Sequence, residues 1–142
     1  MQIGKYNFPD DLYYDKGHNW ARVEEDGTVV QGLSGFAQDI AGEILYAETP
    51  RKGRTLEQGK PFMSMESGKW VGRVEATVSG EVVDANENLE WESNLINKDP
   101  YGEGWLVKIA ASDLEADLAR LMRTTDPEFE PFMKDEMSKY GK

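Results

Sequence analysis

The chain has no cysteine. That excludes a disulfide framework, a thiolate metal site and a cysteine nucleophile, so any thiol chemistry must come from outside the polypeptide. Histidine is nearly absent: His18 is the single imidazole. A lone His beside a Trp reads as structural, and no Ser–His–Asp set can be assembled from it. One His and scattered carboxylates do not give metal-ligand spacing. Asp84, Asn86 and Glu87 look like part of a calcium loop, but its central glycine and terminal glutamate are not at the right distance. The glycines form no phosphate-binding pattern. Positive charge is scarce: 16 Lys and Arg against 27 Asp and Glu leave a net charge of −11. A nucleic-acid backbone or an anionic membrane surface would be repelled. No apolar run is long enough to span a bilayer, and MQIGKYNFPDD lacks the apolar stretch of a signal peptide. The expectation is a soluble, cytoplasmic, acidic protein with no nucleic-acid or membrane partner.

What is present is one domain's length, 142 residues, with enough aromatic and aliphatic residues for a core. Residues 1–17 read as irregular. Trp20–Val23 and Thr28–Leu33 read as strands joined by Glu24–Gly27, an Asp-Gly hairpin signal. Ser34 suits the N-cap of a helix over Gly35–Ile40, with Phe36 and Ile40 on one face and Gly42 as its stop. Glu43–Glu48 reads as a strand, and RKGRTLEQGKPF after it as a loop. Pro61–Ser67 has a strand's period, with Phe62 and Ser64 facing one way and Met63 and Met65 the other. Trp70–Val74, the run after Gly80, and Trp105–Ala110 follow as strands, with a loop over 86–104. Ser112 and Glu115 match a capping box. It would open a helix bearing Leu114, Leu118, Leu121 and Met122 and ending near Arg123. PFMKDEMSKYGK predicts one more short helix, with Met133 and Met137 on one face. No long helix alternates with the strands, which disfavours a parallel βαβ sheet. A compact β-sandwich or barrel with appended helices fits, with 1–123 as one domain and 124–142 as a C-terminal extension.

The stretch MESGKW (65–70) sets Lys69 at the tip of a predicted hairpin, directly after Gly68. Most turn lysines are simply solvated. A lysine presented for modification needs the same setting: exposure, a rigid ribbon and few neighbours. The residues alone leave both readings open. Met63 and Met65 read as packing residues, and Asp10, Asp11 and Glu24–Asp26 as solvated acidic surface.

Several ordered runs resemble one family. FPDDLYYDKGHNWARVEEDG (8–27), GLSGFAQDIAGEILYAETP (32–50), GRTLEQGKPFMSMESGK (53–69), VSGEVVDANENL (78–89) and LINKDPYGEGWLVKI (95–109) are similar, in order and spacing, to the glycine cleavage system H-protein and its lipoate-binding relatives. The resemblance covers about residues 7–123. It implies a mainly β, barrel-sandwich hybrid fold of two small antiparallel sheets, with a short helix in the N-terminal half and C-terminal helices. It also implies a lipoyl carrier, not an enzyme, with lipoate amide-linked to Lys69 and Glu66, Ser67 and Gly68 as the attachment motif. The dithiolane would supply the sulfur chemistry that a cysteine-free chain lacks. Implied partners are a lipoate ligase or lipoyl transferase, dihydrolipoamide dehydrogenase, and the enzymes between which the arm swings.

The departures from the family bear on the cargo. Family members place Glu between the His and Trp, and an acid four residues after the lysine; here those positions hold Asn19 and Arg73. Both are expected near the arm. One carboxylate is neutralised and the other reversed in sign, changes worth about 1 kcal/mol each if exposed. They disfavour a cationic aminomethyl cargo and favour an anionic one. This is similar to the H-protein-like lipoate-binding proteins of sulfur-oxidising microbes, whose partner is a heterodisulfide-reductase-like complex. The sequence reading therefore favours sulfur oxidation, with glycine cleavage as the alternative. A biotin carrier is disfavoured because Gly68 and Trp70, not methionines, flank the lysine. An unmodified binding module remains open. Trp70, Val71 and Arg73 are the expected partner-contact patch.

Overall fold

Runs of alternating apolar and polar residues build three antiparallel sheets in the computed structural model, which describes residues 1–142. β1 (Gln2–Ile3) and β2 (Tyr6–Asn7) pair as a short hairpin. The large sheet runs in the order β3 (Tyr13–Tyr14), β4 (Asn19–Val23), β5 (Thr28–Leu33), β11 (Val107–Ala111), β10 (Gly80–Ala85) and β7 (Thr55–Leu56). The small sheet contains β6 (Ile44–Glu48), β8 (Pro61–Ser67) and β9 (Val71–Glu75). The expected mainly β architecture of antiparallel sheets is present, although the two principal sheets are unequal, with six and three strands.

Two cores follow from the two-residue period of the strands. On β5, Val29 faces the small sheet and packs with Ile109, Val82, Met65 and Val74. Its neighbour Val30 faces the other way, toward Trp20, Phe8, Tyr14 and Phe36. That second core is closed by α4 (Phe129–Lys139), whose Phe129, Met133 and Met137 lie buried on one helical face. α1 (Gly35–Ala41) connects β5 of the large sheet to β6 of the small one; the Ser34 hydroxyl accepts from the Ala37 amide and Gly42 caps the end at φ 85°.

Tertiary contacts alter several sequence expectations. Residues 1–17 are not irregular: Tyr13 and Tyr14 pair with Ala21 and Trp20, adding a strand to the large sheet. The expected loop over 51–62 contributes Thr55–Leu56 at that sheet's far edge. The 86–104 loop contains a 3-10 helix (Glu87–Glu90) and α2 (Leu95–Lys98). Phe62 and Met63 are both buried because a bulge shifts the β8–β9 register between Pro61 and Met63. The Ser112 capping box does not form. Asp113 precedes α3 (Leu114–Leu118) without a side-chain cap bond. That helix stops at Leu118, five residues before Arg123, because Met122 bridges Tyr14 and enters the second core.

Candidate functional site

The β8–β9 hairpin carries Lys69 at its turn, and the turn is pinned from inside. The Ser67 hydroxyl donates to the Ala41 carbonyl at the end of α1, at 2.5 Å, and accepts from the Lys69 amide at 3.2 Å. Ser67 thus satisfies a terminal helix carbonyl and fixes the tip in the same contact. The Lys69 side chain is exposed and lies along Gly42. A Cβ at Gly42 would come 2.8 Å from Lys69 Cε, at a φ that already favours glycine. Gly42 therefore leaves a track for the lysine stem. Gly68 has open space around it, so nothing within the chain demands glycine there. Glu66 points to the solvent side of the sheet, paired in register with Tyr46 and Val71.

Beside the tip is a cleft of about 360 Å³, lined among others by Lys16, His18, Asn19, Trp70, Arg73 and Glu136. Trp70 folds over Gly72, where any Cβ would collide with the indole. This splits the expected contact patch: Trp70 turns into the cleft half-buried, while Val71 stays outside. Asn19 is buried, and its amide nitrogen donates to both Asp15 carboxylate oxygens and to the Glu75 carbonyl. Its Oδ1 has no partner. Burial, with Glu75 nearby and against the Asn19 hydrogen bonds, pushes the Asp15 carboxyl up to about 6.

His18 sits at φ 68°, buried, edge-on to Phe36 and stacked on Phe132. Its Nε2 lies 2.7 Å from Glu136 Oε1. Lys139 and His18 hold the Glu136 carboxyl below its ordinary range. A carboxylate only accepts, so Nε2 carries the proton and Nδ1 is left as a buried, unpartnered acceptor. Burial depresses the imidazole's own pKa, so the ring stays neutral near pH 7.

The family model for "Glycine cleavage H-protein" matches residues 12–136. A "Glycine cleavage system H protein 2" of Aquifex aeolicus is 47% identical over 115 residues, 80% of this chain and 71% of the relative. A "Probable glycine cleavage system H protein" of Thermococcus kodakarensis is 43% identical over 122 residues, covering 86% and 90%. The chain belongs to the glycine cleavage H-protein family. The crystal structure of a glycine cleavage system H protein from Mycobacterium marinum superposes with TM-score 0.76 at 24% identity, over 95% of this chain and all of that one. That likeness supports the shared fold. H-proteins carry lipoate on a lysine and are carriers, not catalysts, so the enzyme readings fall away. None of these relatives is named for sulfur oxidation.

The structure brings Asn19 and Arg73 into one cleft wall with Trp70, and sets Ser67 and Lys69 just beside it. Other residues that position this H-protein's tip carried no local signal. Asn97 accepts from the Ile44 amide at 2.8 Å and donates to the Gly42 carbonyl at 2.8 Å, bracing the turn against which Lys69 lies. Gln31, fully buried, donates to the Glu75 carbonyl and accepts from Thr77, tying β9 to the large sheet. These contacts span more than 40 positions in sequence, so no short motif announces them.

Proposed function

We propose that Lys69 is this carrier's lipoyl attachment point, and that residues 1–123 form the carrier proper with 124–142 as an extension that walls the cleft. The observation that carries this reading is a free side chain on a fixed base: Lys69 is exposed, while its hairpin is fastened to α1 through Ser67 and Ala41. The site fits the group, because Gly42 leaves an open track beside the lysine stem and the neighbouring cleft has room for the arm's end. When attached, lipoate supplies a disulfide that can be opened and reclosed by thiol–disulfide exchange. The chain's own residues supply position. Ser67 holds the pivot, Trp70 offers an apolar wall, and Asn19 and Arg73 set the polarity that a cargo meets.

For the pathway, the family and the names of the relatives support service to the glycine cleavage enzymes and dihydrolipoamide dehydrogenase, after loading by a lipoate ligase or lipoyl transferase. One observation favours a second reading. Lys16 and Arg73 line the cleft with neutral Asn19 between the strands, and Glu136 is the one acid among its lining residues. That lining suits an anionic sulfur cargo handed to a heterodisulfide-reductase-like complex. Mass analysis of the protein from its own cells, with fragmentation of the Lys69 peptide, tests the attachment: a lipoyl increment on Lys69 is expected, and an unmodified lysine in cells that lipoylate other proteins overturns it. Turnover with glycine-cleavage enzymes supports the first pathway. Its absence, together with extra sulfur on the arm, supports the second.

A further inference from the structure

The cleft side of the hairpin is built up by α1, Trp70 and α4, whereas the opposite side of the small sheet is bare. Register sets Tyr46, Glu66 and Val71 in one row across that outer face, with Glu48, Ser64 and Arg73 in the next row, where Arg73, on the sheet's edge strand, also borders the cleft. A bulge between Ile44 and Tyr46 leaves Leu45 exposed as well. Leu45 is 63% exposed and Val71 74%, each far more than a packed strand residue. Along the free edge of β6 packs the 3-10 helix, anchored by the Ser93 hydroxyl donating to the Ile44 carbonyl at 2.9 Å. Directly after that helix stands Trp91, 80% exposed. Most of the chain's exposed large hydrophobic residues therefore belong to this sheet or to the segment on its border. Exposed apolar groups gathered within a polar rim mark interaction surfaces, and Trp and Tyr are the side chains that anchor them.

We infer that this outer face is the docking surface for the enzyme that attaches lipoate to Lys69, through an apolar socket ringed by Lys and Arg. The inference rests on the lipoyl reading of Lys69. Charge selects the occupant: exposed Glu66 stands beside the lysine turn and exposed Glu87 and Glu90 beside Trp91, while Arg54 and Arg73 sit with Glu48 at the other end of the face, on a chain of net charge −11. A basic partner is steered to such a face, whereas a second copy of the same acidic chain is repelled. Position selects the enzyme. Attachment joins Lys69 Nζ to the carbonyl of a lipoyl adenylate, expelling AMP and releasing a proton. The active site must therefore close over the bare lysine and contact its immediate surroundings. Enzymes that serve the finished arm can work from farther away. The cleft is left for the arm, and the outer face beside Val71 and Glu66 adjoins the lysine turn and stays exposed.

The test follows lipoylation of the purified, unmodified chain by a lipoate–protein ligase with lipoate and ATP, read by intact mass over time. A Tyr46→Ser, Val71→Ser, Trp91→Ser triple variant and a Glu48→Lys, Glu66→Lys double variant are compared with the parent. Val83→Ser, an exposed residue on β10 of the other sheet, is the control. The expected result is a fall of about tenfold or more in kcat/KM for both variants, carried by KM, with unchanged circular dichroism. Parent loading should weaken as salt rises, and the control should load like the parent. Equal loading of the triple variant overturns the inference. So does sedimentation showing that the parent dimerises through this face and that the triple variant does not. If the parent itself is never loaded, the Lys69 reading fails and the docking surface falls with it.

Discussion

Across the small sheet, neighbouring residues of one strand meet opposite environments. Ala47, Met65 and Val74 turn inward and disappear into the core between the sheets. Tyr46, Glu66 and Val71, each one position or a few away, turn outward and remain in solvent. The inner face is specified by packing, so its side chains answer to volume. The outer face is specified by little within the chain, so its apolar residues need another explanation, and a partner provides one. The same ribbon therefore has one side that holds Lys69 still and another left free to be approached. A carrier needs both, since an arm on a loose base would dilute itself and an arm on a covered base would reach nothing.

Five substitutions and one titration break or sharpen this contrast. Lys69→Arg should abolish lipoylation altogether, since a guanidinium is not the acceptor amine, while thermal stability stays within about 0.5 kcal/mol. Mass spectrometry and a melt read both. Met65→Ala on the inner face should cost about 2–5 kcal/mol in urea unfolding, whereas Val71→Ala on the outer face should cost no more than about 0.5 kcal/mol. Equal costs would show that the two faces are not distinct. Gly42→Ala places a Cβ at a left-handed φ and against the lysine stem. It should lose roughly 1–2 kcal/mol and slow loading of Lys69.

The Asp15 carboxyl, raised to about 6 in the folded chain, contributes stability below the carboxyl's unfolded pKa. That contribution is lost as pH climbs through about 6. Urea titrations between pH 4 and pH 7 should show a decline on the order of 1–2 kcal/mol that Asp15→Asn removes. Ser67→Ala should cost about 1 kcal/mol for the lost bond to Ala41. It should also raise the hydrogen-exchange rate of the Lys69 amide.

Much of the fold was legible because its signals are local. The Asp-Gly turn after β4, the Ser34 cap, and the Pro61–Ser67 strand with its Lys69 turn each depend on residues within a few positions of one another. The misreadings share one cause. Tyr13 and Tyr14 became a strand only because Ala21 and Trp20 lie alongside. The helix after Ser112 ended early because Met122 was claimed by Tyr14 and by the second core. Propensity yielded to packing at both places.

The site divides in the same way. The sequence by itself determined that the chain offers no cysteine and a single histidine. It marked Lys69 with Glu66, Ser67 and Gly68 as the place to look, and it set the sign of the charges at 19 and 73. Tertiary structure decided that Asn19 and Arg73 share a wall, that Trp70 turns into the cleft rather than out to a partner, and that Asn97 and Gln31 brace the hairpin. It also decided that Leu45, Tyr46 and Val71 stand together on a bare face. The physical reason is range. Composition and residue order report what side chains can do, while strand register and burial decide which of them meet.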